Sequence, residues 1–331
     1  MSKVEYLALF LICFVLSGVG TGIVLKFLRR KKIMDVPNSR SNHATPVPRG
    51  GGIALVFAII CGWLYLSFAV NHDFFYIWSV FLGILLLAVV SWADDLKNLS
   101  VKYRLLAQFI AVGLGVYALA IPPLLWLPIA IIWIWFINLY NFMDGIDGIT
   151  GSESVMIAAG IALVAMLDYH MPQEIGFYVS IIAAASLGFL IWNWHPARIF
   201  LGDVGSVPLG FILGWLLLEL ALRGHWAEAL LIPGYYLADS GYTIMQRLFR
   251  GEKIWQAHSE HFYQRAVRGG FTHARVVKVI LALNILLIGL AALAVSHPEY
   301  KLLFLIAGYA LTASVLLYFR KGTKYVLVGQ K

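Results

Sequence analysis

The chain has 331 residues, of which 61% are hydrophobic and only 13% are charged, and its formal net charge is +8. Soluble globular domains carry about 25% charged residues. This composition, with a mean hydropathy of +0.81, excludes an ordinary soluble domain. The sequence therefore predicts an all-α polytopic membrane helix bundle, one integral membrane domain over residues 1–331, with the lipid bilayer as its surroundings and no nucleic acid as a partner.

About eleven apolar runs are long enough to cross a bilayer, since a helix needs roughly 20 mainly apolar residues to do so. Their approximate bounds are 4–28, 50–70, 75–93, 105–121, 123–141, 152–167, 175–194, 206–223, 226–246, 276–296 and 300–319. The first run carries Glu5 and ends in the basic sequence RRKK, unlike a cleavable signal peptide. We expect it to remain attached as a membrane span.

Basic residues predict the orientation, because Lys and Arg are retained on the cytoplasmic side. If the N-terminus lies outside and the C-terminus inside, 22 of the 25 Lys and Arg residues fall in the inner connections. Only Lys3, Arg223 and Lys301 fall outside. Every acidic cluster described below then faces the cytoplasm.

The first acidic cluster is SWADDLKNLS at 91–100, in which Asp94 and Asp95 follow the third predicted span. A helix C-terminus already presents partial negative charge, so two adjacent carboxylates are disfavoured there. Carboxylates at a membrane boundary are costly unless they are paired, hydrated or bound to a cation. The pair indicates a cation or acid–base site, with solvated loop residues as the alternative.

The second cluster, NLYNFMDGIDG at 138–148, spaces Asn138, Asn141, Asp144 and Asp147 three residues apart. In a continuous helix each step of three residues falls about 60° short of a full turn, so the four cannot share one narrow face. The neighbouring glycines predict that the helix ends here and that a loop brings its backbone close to a ligand. The alternative is a polar turn with side-chain caps.

The third cluster is FLGDVGS at 200–206, where Asp203 opens the eighth span. Asp is a good helix N-cap, and it is also a magnesium ligand, since Mg²⁺ prefers oxygen donors and commonly uses one or two carboxylates with substrate phosphates. The candidate oxygens are those of Asp203, Asn141 and the Asp94/Asp95 pair.

Two basic segments accompany these clusters. HSEHFYQR at 258–265 contains His258, His261 and Arg265, which suit a diphosphate because Arg and His can donate hydrogen bonds to its oxygens. A zinc site lacks a suitably spaced third ligand, and an interfacial basic loop is the remaining alternative. Arg49 precedes three glycines in the first inner loop, a pattern that allows the backbone to approach an anion, but the loop lacks a P-loop signature.

Taken together, the motifs at 35–52, 94–98, 138–148, 200–206 and 258–265 resemble the polyprenyl-phosphate sugar-1-phosphate transferases. The resemblance covers nearly the whole membrane core. It implies a multi-helix enzyme of the bacterial inner membrane that transfers an N-acetylhexosamine 1-phosphate from a UDP-sugar to undecaprenyl phosphate and releases UMP. It also implies Mg²⁺, with Mn²⁺ as a possible substitute, and a possible homodimer.

The same resemblance assigns roles to individual residues. Asp94 and Asp95 match the catalytic carboxylate pair, Asn141 and Asp203 the metal-holding residues, and Asp144 and Asp147 the acidic positions on the nucleotide side. The catalytic candidates are Asp94, Asp95, Asp147, His258 and His261; the substrate-binding candidates are Arg49, Arg104, Asn138, Asp144 and Arg265; the metal candidates are Asp203 and Asn141.

The HSEH segment departs from the peptidoglycan branch of the family, whose loop carries three consecutive His residues. It resembles the O-antigen and capsule-initiating branch, with a UDP-GlcNAc-specific enzyme as the alternative. Asp239 and Arg247 are interpreted either as a salt bridge or as substrate contacts. A transporter is the alternative from another class, although transporter sites usually lie near the midplane of the bilayer. For the reaction, direct attack by the lipid phosphate is favoured over a covalent Asp-phosphate.

Overall fold

The computed structural model describes residues 2–37, 42–43, 45–69, 74–253 and 258–328, with the side chains of 74–76 and 321–328 left out. These residues form thirteen α-helices, which confirms the all-α membrane bundle. The helices are α1 (Lys3–Lys31), α2 (Gly52–Ala69), α3 (Phe74–Lys97), α4 (Val101–Ala118), α5 (Trp126–Phe142), α6 (Ile149–Leu167), α7 (Gln173–Asn193), α8 (Asp203–Leu222), α9 (Trp226–Leu231), α10 (Gly234–Phe249), α11 (Phe262–Arg268), α12 (His273–Ser296) and α13 (Lys301–Val328).

Nine helices in the described residues are long and apolar enough to cross a membrane. Two of the predicted spans do not reach that standard. Helix α4 is not among the nine, and Lys102 and Arg104 in its first turn lower its hydropathy. The predicted span 226–246 is broken into α9 and α10 at Pro233, because proline has no amide hydrogen and its ring clashes with the preceding turn.

Two helix boundaries decide where the acidic clusters lie. Helix α3 continues to Lys97, so Asp94 and Asp95 belong to its last turns, and the prediction that they follow the span is wrong. The helix ends where Asn98 adopts a left-handed backbone conformation (φ 51°) and its amide bonds back to the Asp94 carbonyl at 2.9 Å. Helix α5 ends at Phe142, which confirms that Asp144 and Asp147 lie in a turn.

Helix α8 is the central element of the bundle. Its most apolar 18-residue stretch is 89% buried, and α2, α3, α5, α6 and α9 pack around it. At the functional end, α2 approaches α8 so closely that a Cβ on Gly52 would lie 2.3 Å from the Gly205 Cα. By contrast, only 33% of the corresponding stretch of α1 and 22% of that of α13 are buried, so these helices lie at the margin.

The connections gather in two layers at opposite ends of the bundle. At one end, a short antiparallel pair, β1 (Met34–Asp35) and β2 (Val47–Pro48), closes the loop after α1, and the amides of Gly50 and Gly51 bond to the Phe200 carbonyl. At the other end, His225 contacts Asp168 at 2.8 Å, and Lys301 donates to the Gly224 carbonyl at 2.8 Å.

Replacement of Gly52 by Ala tests the close approach of α2 and α8. The added methyl would meet backbone atoms of Gly205, which cannot rotate away, so we expect a loss of roughly 1–3 kcal/mol, typical of overpacking. The measurement is the thermal midpoint of the purified protein in detergent. Gly113→Ala is the matched control, since a Cβ there meets nothing within 4 Å. Equal midpoints for both variants would show that the approach is not tight.

Candidate active site

The site begins at the N-terminus of α8, which is capped by a carboxylate from another helix. The first amides of a helix have no partner within it, and Gly202, with φ 77°, offers no capping side chain. Asp95 of α3 supplies the acceptors instead. Its Oδ1 accepts from the Asp203 amide at 3.1 Å and its Oδ2 from the Val204 amide at 3.0 Å. Asp95 therefore fixes the position of the Asp203 backbone.

Arg49 joins the same cluster from the loop before α2. Its Nε lies 2.9 Å from Asp95 Oδ1, and its Nη2 donates to Asp203 Oδ1. The guanidinium thus bridges two carboxylates, and their charges raise its pKa despite burial, which acts in the opposite direction. Arg49 carries its positive charge at every physiological pH.

Asp94 forms a second ion pair beside the first. Its Oδ2 accepts from Arg104 Nη1 at 3.0 Å, and its Oδ1 accepts from the Leu99 amide at 2.6 Å. Its carboxylate is close enough to Asp203 for the two to repel each other. Asp94 and Asp95 of the first cluster therefore lie beside Asp203 of the third cluster. Arg104 pairs with Asp94, and Arg49 pairs with Asp95 and Asp203.

The two predicted asparagines have different surroundings. Asn138 exchanges hydrogen bonds with Gln108 of α4 at 2.7 and 3.3 Å. Asn141 accepts from the Ser206 hydroxyl at 2.6 Å and lines the same cavity as Asp203. Asn138 thus ties α5 to α4, whereas Asn141 directly borders the acidic cluster.

Asp144 lies in the turn between α5 and α6. Removal from solvent raises its pKa to about 7, and the nearby carboxylates of Asp203 and Asp95 act in the same direction. A hydrogen bond from Thr150 and the charge of Arg49 only partly oppose this shift. Near neutral pH the Asp144 carboxyl is therefore divided between its protonated and ionised forms.

Asp147, in the same turn, has a pKa shifted in the opposite direction. Its Oδ2 accepts from the Ala197 amide at 3.1 Å and lies 2.6 Å from His195 Nδ1 and 3.2 Å from His273 Nδ1. Burial acts to raise the pKa of Asp147, but the hydrogen bonds from His273 and His195 outweigh it and lower the pKa below its ordinary value. Asp147 stays ionised and joins three connections at this end of the bundle.

The C-terminal basic segment forms the far wall. His258 lines the cavity, and burial, together with the charges of His261 and Arg247, lowers its pKa to about 4, so the ring is neutral at pH 7. His261 is only 1% exposed and lies behind it. Arg265 pairs with Glu260 at 3.3 Å and stacks over the Phe262 ring.

Asp239 and Arg247 also belong to this wall. Arg247 pairs with Glu252 at 2.8 Å and lies 3.8 Å from Glu260. Asp239 contacts His261 and the start of α11.

These elements enclose a polar cavity of about 400 Å³. Arg49, Arg104, Asn141, Asp144, Asp147, Asp203 and His258 are among the predicted residues that line it. A smaller cavity of about 20 Å³ adjoins it and is lined by Asp94, Arg104, Asn138, Asn141 and Asp203. The acidic clusters, far apart in sequence, converge at one end of the bundle.

The donor set at this convergence suits a hard divalent cation. Among the described residues, the four carboxylates of Asp94, Asp95, Asp144 and Asp203 are balanced by the two guanidinium groups of Arg49 and Arg104. Asp95 already accepts two backbone amides and Arg49, so the oxygens that remain to hold a metal ion belong mainly to Asp203, Asn141 and Asp94. Oxygen ligands are those that magnesium prefers.

A separate nitrogen-rich set lies at the edge of the cavity. Ligand atoms of Asp147, His195 and His273 all lie within 4.8 Å of one another. In the described residues these groups contact one another directly, as the hydrogen bonds above show. Their contacts connect the α5–α6 turn, the α7–α8 loop and the start of α12.

Sequence reasoning missed three residues of this end of the bundle: Asn193, His195 and His273. Asn193 accepts from the Gly148 amide at 3.0 Å and donates to the Ile199 carbonyl at 3.0 Å. The polar sequence NWHPAR at the end of an apolar run was an available signal, whereas His273, a single His at a helix start, had none. In the 35–52 motif, residues 38–41 and 44 lie outside the described residues.

Comparison with known proteins identifies relatives over most of the chain. A probable undecaprenyl-phosphate N-acetylglucosaminyl 1-phosphate transferase of Bacillus subtilis is 27% identical over 293 residues, covering 81% of this chain and 80% of the relative. The undecaprenyl-phosphate alpha-N-acetylglucosaminyl 1-phosphate transferase of Escherichia coli K12 is 27% identical over 314 residues, covering 85% and 82%.

A phospho-N-acetylmuramoyl-pentapeptide-transferase of Listeria welshimeri is 24% identical over 312 residues, covering 84% of this chain and 94% of the relative. Residues 77–221 match the sequence profile of glycosyl transferase family 4, and that region carries all three acidic clusters. Over the region that carries the acidic clusters, this chain is therefore similar to glycosyl transferase family 4, and over most of its length it is similar to these relatives.

Proposed function

We propose that this protein transfers an N-acetylhexosamine 1-phosphate from a UDP-sugar to undecaprenyl phosphate and releases UMP. The observation that carries the proposal is the convergence of Asp94, Asp203 and Asp144 with two arginines at one end of a membrane bundle. A lipid-borne phosphate can reach that end from the bilayer, while a nucleotide sugar reaches it from solution. The names of the relatives support undecaprenyl phosphate as the acceptor and an N-acetylglucosaminyl 1-phosphate as the transferred group.

The chemistry requires positioning and charge compensation more than proton transfer. Phosphoryl transfer is accelerated mainly by orienting the reactants and stabilising charge on the phosphate oxygens. The second pKa of a phosphate monoester is about 6, so the lipid acceptor is mostly dianionic at neutral pH and needs little help from a general base. Arg49 and Arg104 supply fixed positive charge beside the carboxylates. The arrangement favours direct attack by the lipid phosphate.

We further propose magnesium as the cofactor, with manganese as a substitute. Asp203 and Asn141, assisted by Asp94, are the residues that would hold the ion. When bound, a divalent ion would offset charge on the diphosphate of the donor. In our proposal the chain's own residues orient the reactants: Asp95 holds α8, Arg49 and Arg104 set the charge balance, and Asp144 and Asp147 border the nucleotide.

We propose UDP-N-acetylglucosamine as the first donor to test, because the Bacillus and Escherichia relatives are named for that sugar. The O-antigen or capsule-initiating branch is the pathway class we favour from the HSEH segment. The clustering of basic connections at the site end supports a cytoplasmic active site in the bacterial inner membrane, with the N-terminus outside.

The test supplies purified protein with undecaprenyl phosphate, Mg²⁺ and a panel of UDP-N-acetylhexosamines, and measures UMP together with lipid-linked sugar. We expect both products in equal amounts, and their loss on chelation of the metal. Movement of UDP-sugar into liposomes without UMP release would instead identify a transporter.

Replacement of Asp203 and of Asp95 by Asn separates the two roles that the geometry assigns. Asp203→Asn should lower UMP release by about 100-fold or more, the scale for a lost electrostatic group, with little change in thermal midpoint. Asp95→Asn should lower both UMP release and the thermal midpoint, because it weakens the cap of α8 and the ion pair with Arg49. UMP release and thermal midpoints measure the two effects. Glu219→Gln, which disrupts an ion pair with Arg223 at the opposite end of α8, is the matched control and should retain wild-type turnover.

The pH dependence of stability tests the two acids of the α5–α6 turn. The pKa of Asp144 is about 7 in the folded protein, above its ordinary value of 3.8, so its contribution to stability is present at low pH and lost as the pH rises through about 7. The thermal midpoint of the wild type should therefore fall relative to Asp144→Asn between pH 5 and about 8.

Asp147→Asn is the control for that experiment, because its shift has the opposite sign. The pKa of Asp147 lies below its ordinary value, so its contribution is lost only as the pH falls below about 4. The wild type should exceed Asp147→Asn throughout the range from pH 5 to about 8, because the Asp147 carboxyl stays ionised there. If the thermal midpoint of the wild type does not fall relative to Asp144→Asn over the same range, the raised pKa of Asp144 is contradicted.

A further inference from the structure

Asp239 of α10 is a fully buried carboxylate that organises the start of α11. Its Oδ1 accepts from the Phe262 amide at 2.9 Å, and its Oδ2 accepts from the Tyr263 amide at 3.2 Å and from the Tyr235 hydroxyl at 2.9 Å. The His261 Nδ1 lies 3.2 Å from Oδ1. Asp239 therefore caps α11 and holds the His261 ring in one orientation.

The contact with Asp239 also decides which ring nitrogen of His261 carries the proton. Both oxygens of Asp239 already accept from backbone amides, so the carboxyl group is the acceptor in this contact and the Nδ1 donates. In the neutral ring the Nε2 is then left with its lone pair, as a hydrogen-bond acceptor. That Nε2 is buried and has no hydrogen-bond partner within the described part of the chain.

His258 is arranged in the opposite way. Its Nδ1 accepts from the Glu260 backbone amide at 3.3 Å, so the proton of the neutral ring lies on Nε2. The lowered pKa of His258 keeps the ring neutral at pH 7. Its Nε2, a donor, is likewise buried and without a partner among the described residues.

The two rings are neighbours, with centroids 4.8 Å apart and planes inclined by 34°. They therefore bring one buried donor and one buried acceptor close together, and the His258 ring borders the cavity. A phosphate oxygen only accepts hydrogen bonds and would be matched by two donors, whereas a hydroxyl group both donates and accepts. The pair is complementary to a hydroxyl rather than to a phosphate.

We propose that Asp239 is a positioning residue that fixes the tautomer of His261, so that His258 and His261 together bind a single hydroxyl group. The hydroxyl belongs either to the sugar nucleotide or to a bound water. This inference rests on the proposed function for its kinetic test, and a spectroscopic test below is independent of it.

The kinetic test is a double-mutant cycle on UMP release. Asp239→Asn allows the amide to donate to His261 Nδ1, which reverses the polarity of Nε2, so kcat should fall by about 10- to 100-fold, within the range that proton-positioning groups contribute. His261→Gln places an amide oxygen near the position of Nε2 and retains an acceptor. In that background Asp239→Asn should cost less than about 3-fold in kcat. The same loss in both backgrounds would overturn the proposal and leave Asp239 as a cap of α11 only.

Two variants control for folding. His261→Asn retains a donor toward Asp239 but lacks the acceptor at the Nε2 position, so it should fold with a wild-type thermal midpoint and turn over slowly. Tyr235→Phe removes one hydrogen bond to Asp239 without touching His261, so it should lower the thermal midpoint and leave kcat unchanged. A wild-type kcat for His261→Asn would contradict the inference.

The independent test is ¹⁵N NMR of histidine-labelled protein in lipid, with His258→Asn and His261→Asn for assignment. We expect the proton of His261 on Nδ1 and that of His258 on Nε2. If both rings share one tautomer, or if His261 is an imidazolium at pH 7, the proposal fails. This result does not depend on turnover, so it stands even where no UDP-sugar is a substrate.

Single-hydroxyl deoxy analogues of UDP-N-acetylglucosamine distinguish the source of the hydroxyl. An analogue that lacks the bound group should turn over slowly in the wild type and should not be slowed further by His261→Asn. If His261→Asn slows every analogue as much as it slows the parent sugar nucleotide, the bound hydroxyl is that of a water.

Discussion

The functional end of this protein depends on one buried carboxylate, that of Asp95, which caps the N-terminus of α8. The first amides of α8 have no acceptor within the helix, and Asp95 supplies both oxygens to them while Arg49 balances its charge. Since α8 is the most buried of the membrane-crossing helices, fixing its start also fixes Asp203. The position of the acidic cluster is thus set by the packing of the whole bundle rather than by a flexible loop.

A carboxylate also caps a helix at the opposite wall of the cavity. Asp239 of α10 caps α11, just as Asp95 of α3 caps α8. In both cases a carboxylate from one helix accepts hydrogen bonds from the first amides of another helix. The dipole of the second helix favours a negative charge at its N-terminus. Each cap leaves a neighbouring side chain, Asp203 or His261, held in a defined position. Structural acids and functional groups are therefore adjacent in space, and they have different roles.

The clustering of charge has a cost that the bundle offsets locally. Four carboxylates meet at this end of the molecule, and in the part of the chain that the structure describes Arg49 and Arg104 are the cations that pair with them directly. Burial, with a smaller contribution from the neighbouring carboxylates, raises the pKa of Asp144, whereas two histidines and an amide keep Asp147 ionised. Repulsion between the carboxylates destabilises this site, and a positively charged ligand would reduce that repulsion. This is the physical reason for the divalent cation that we propose there.

The sequence by itself determined the class of the protein and the positions of its helices, because apolar runs of bilayer length and glycine-rich breaks are local signals. Asn138 to Asp147 were correctly placed across a helix end for that reason. Only the tertiary structure decided that α3 continues through Asp94 and Asp95, that Pro233 divides a predicted span, and that His195 and His273 brace Asp147. It also decided that Asp94 lines a cavity, whereas Asp95 caps α8. These outcomes depend on contacts between residues distant in sequence, such as Asp95 with Val204, which no local pattern records.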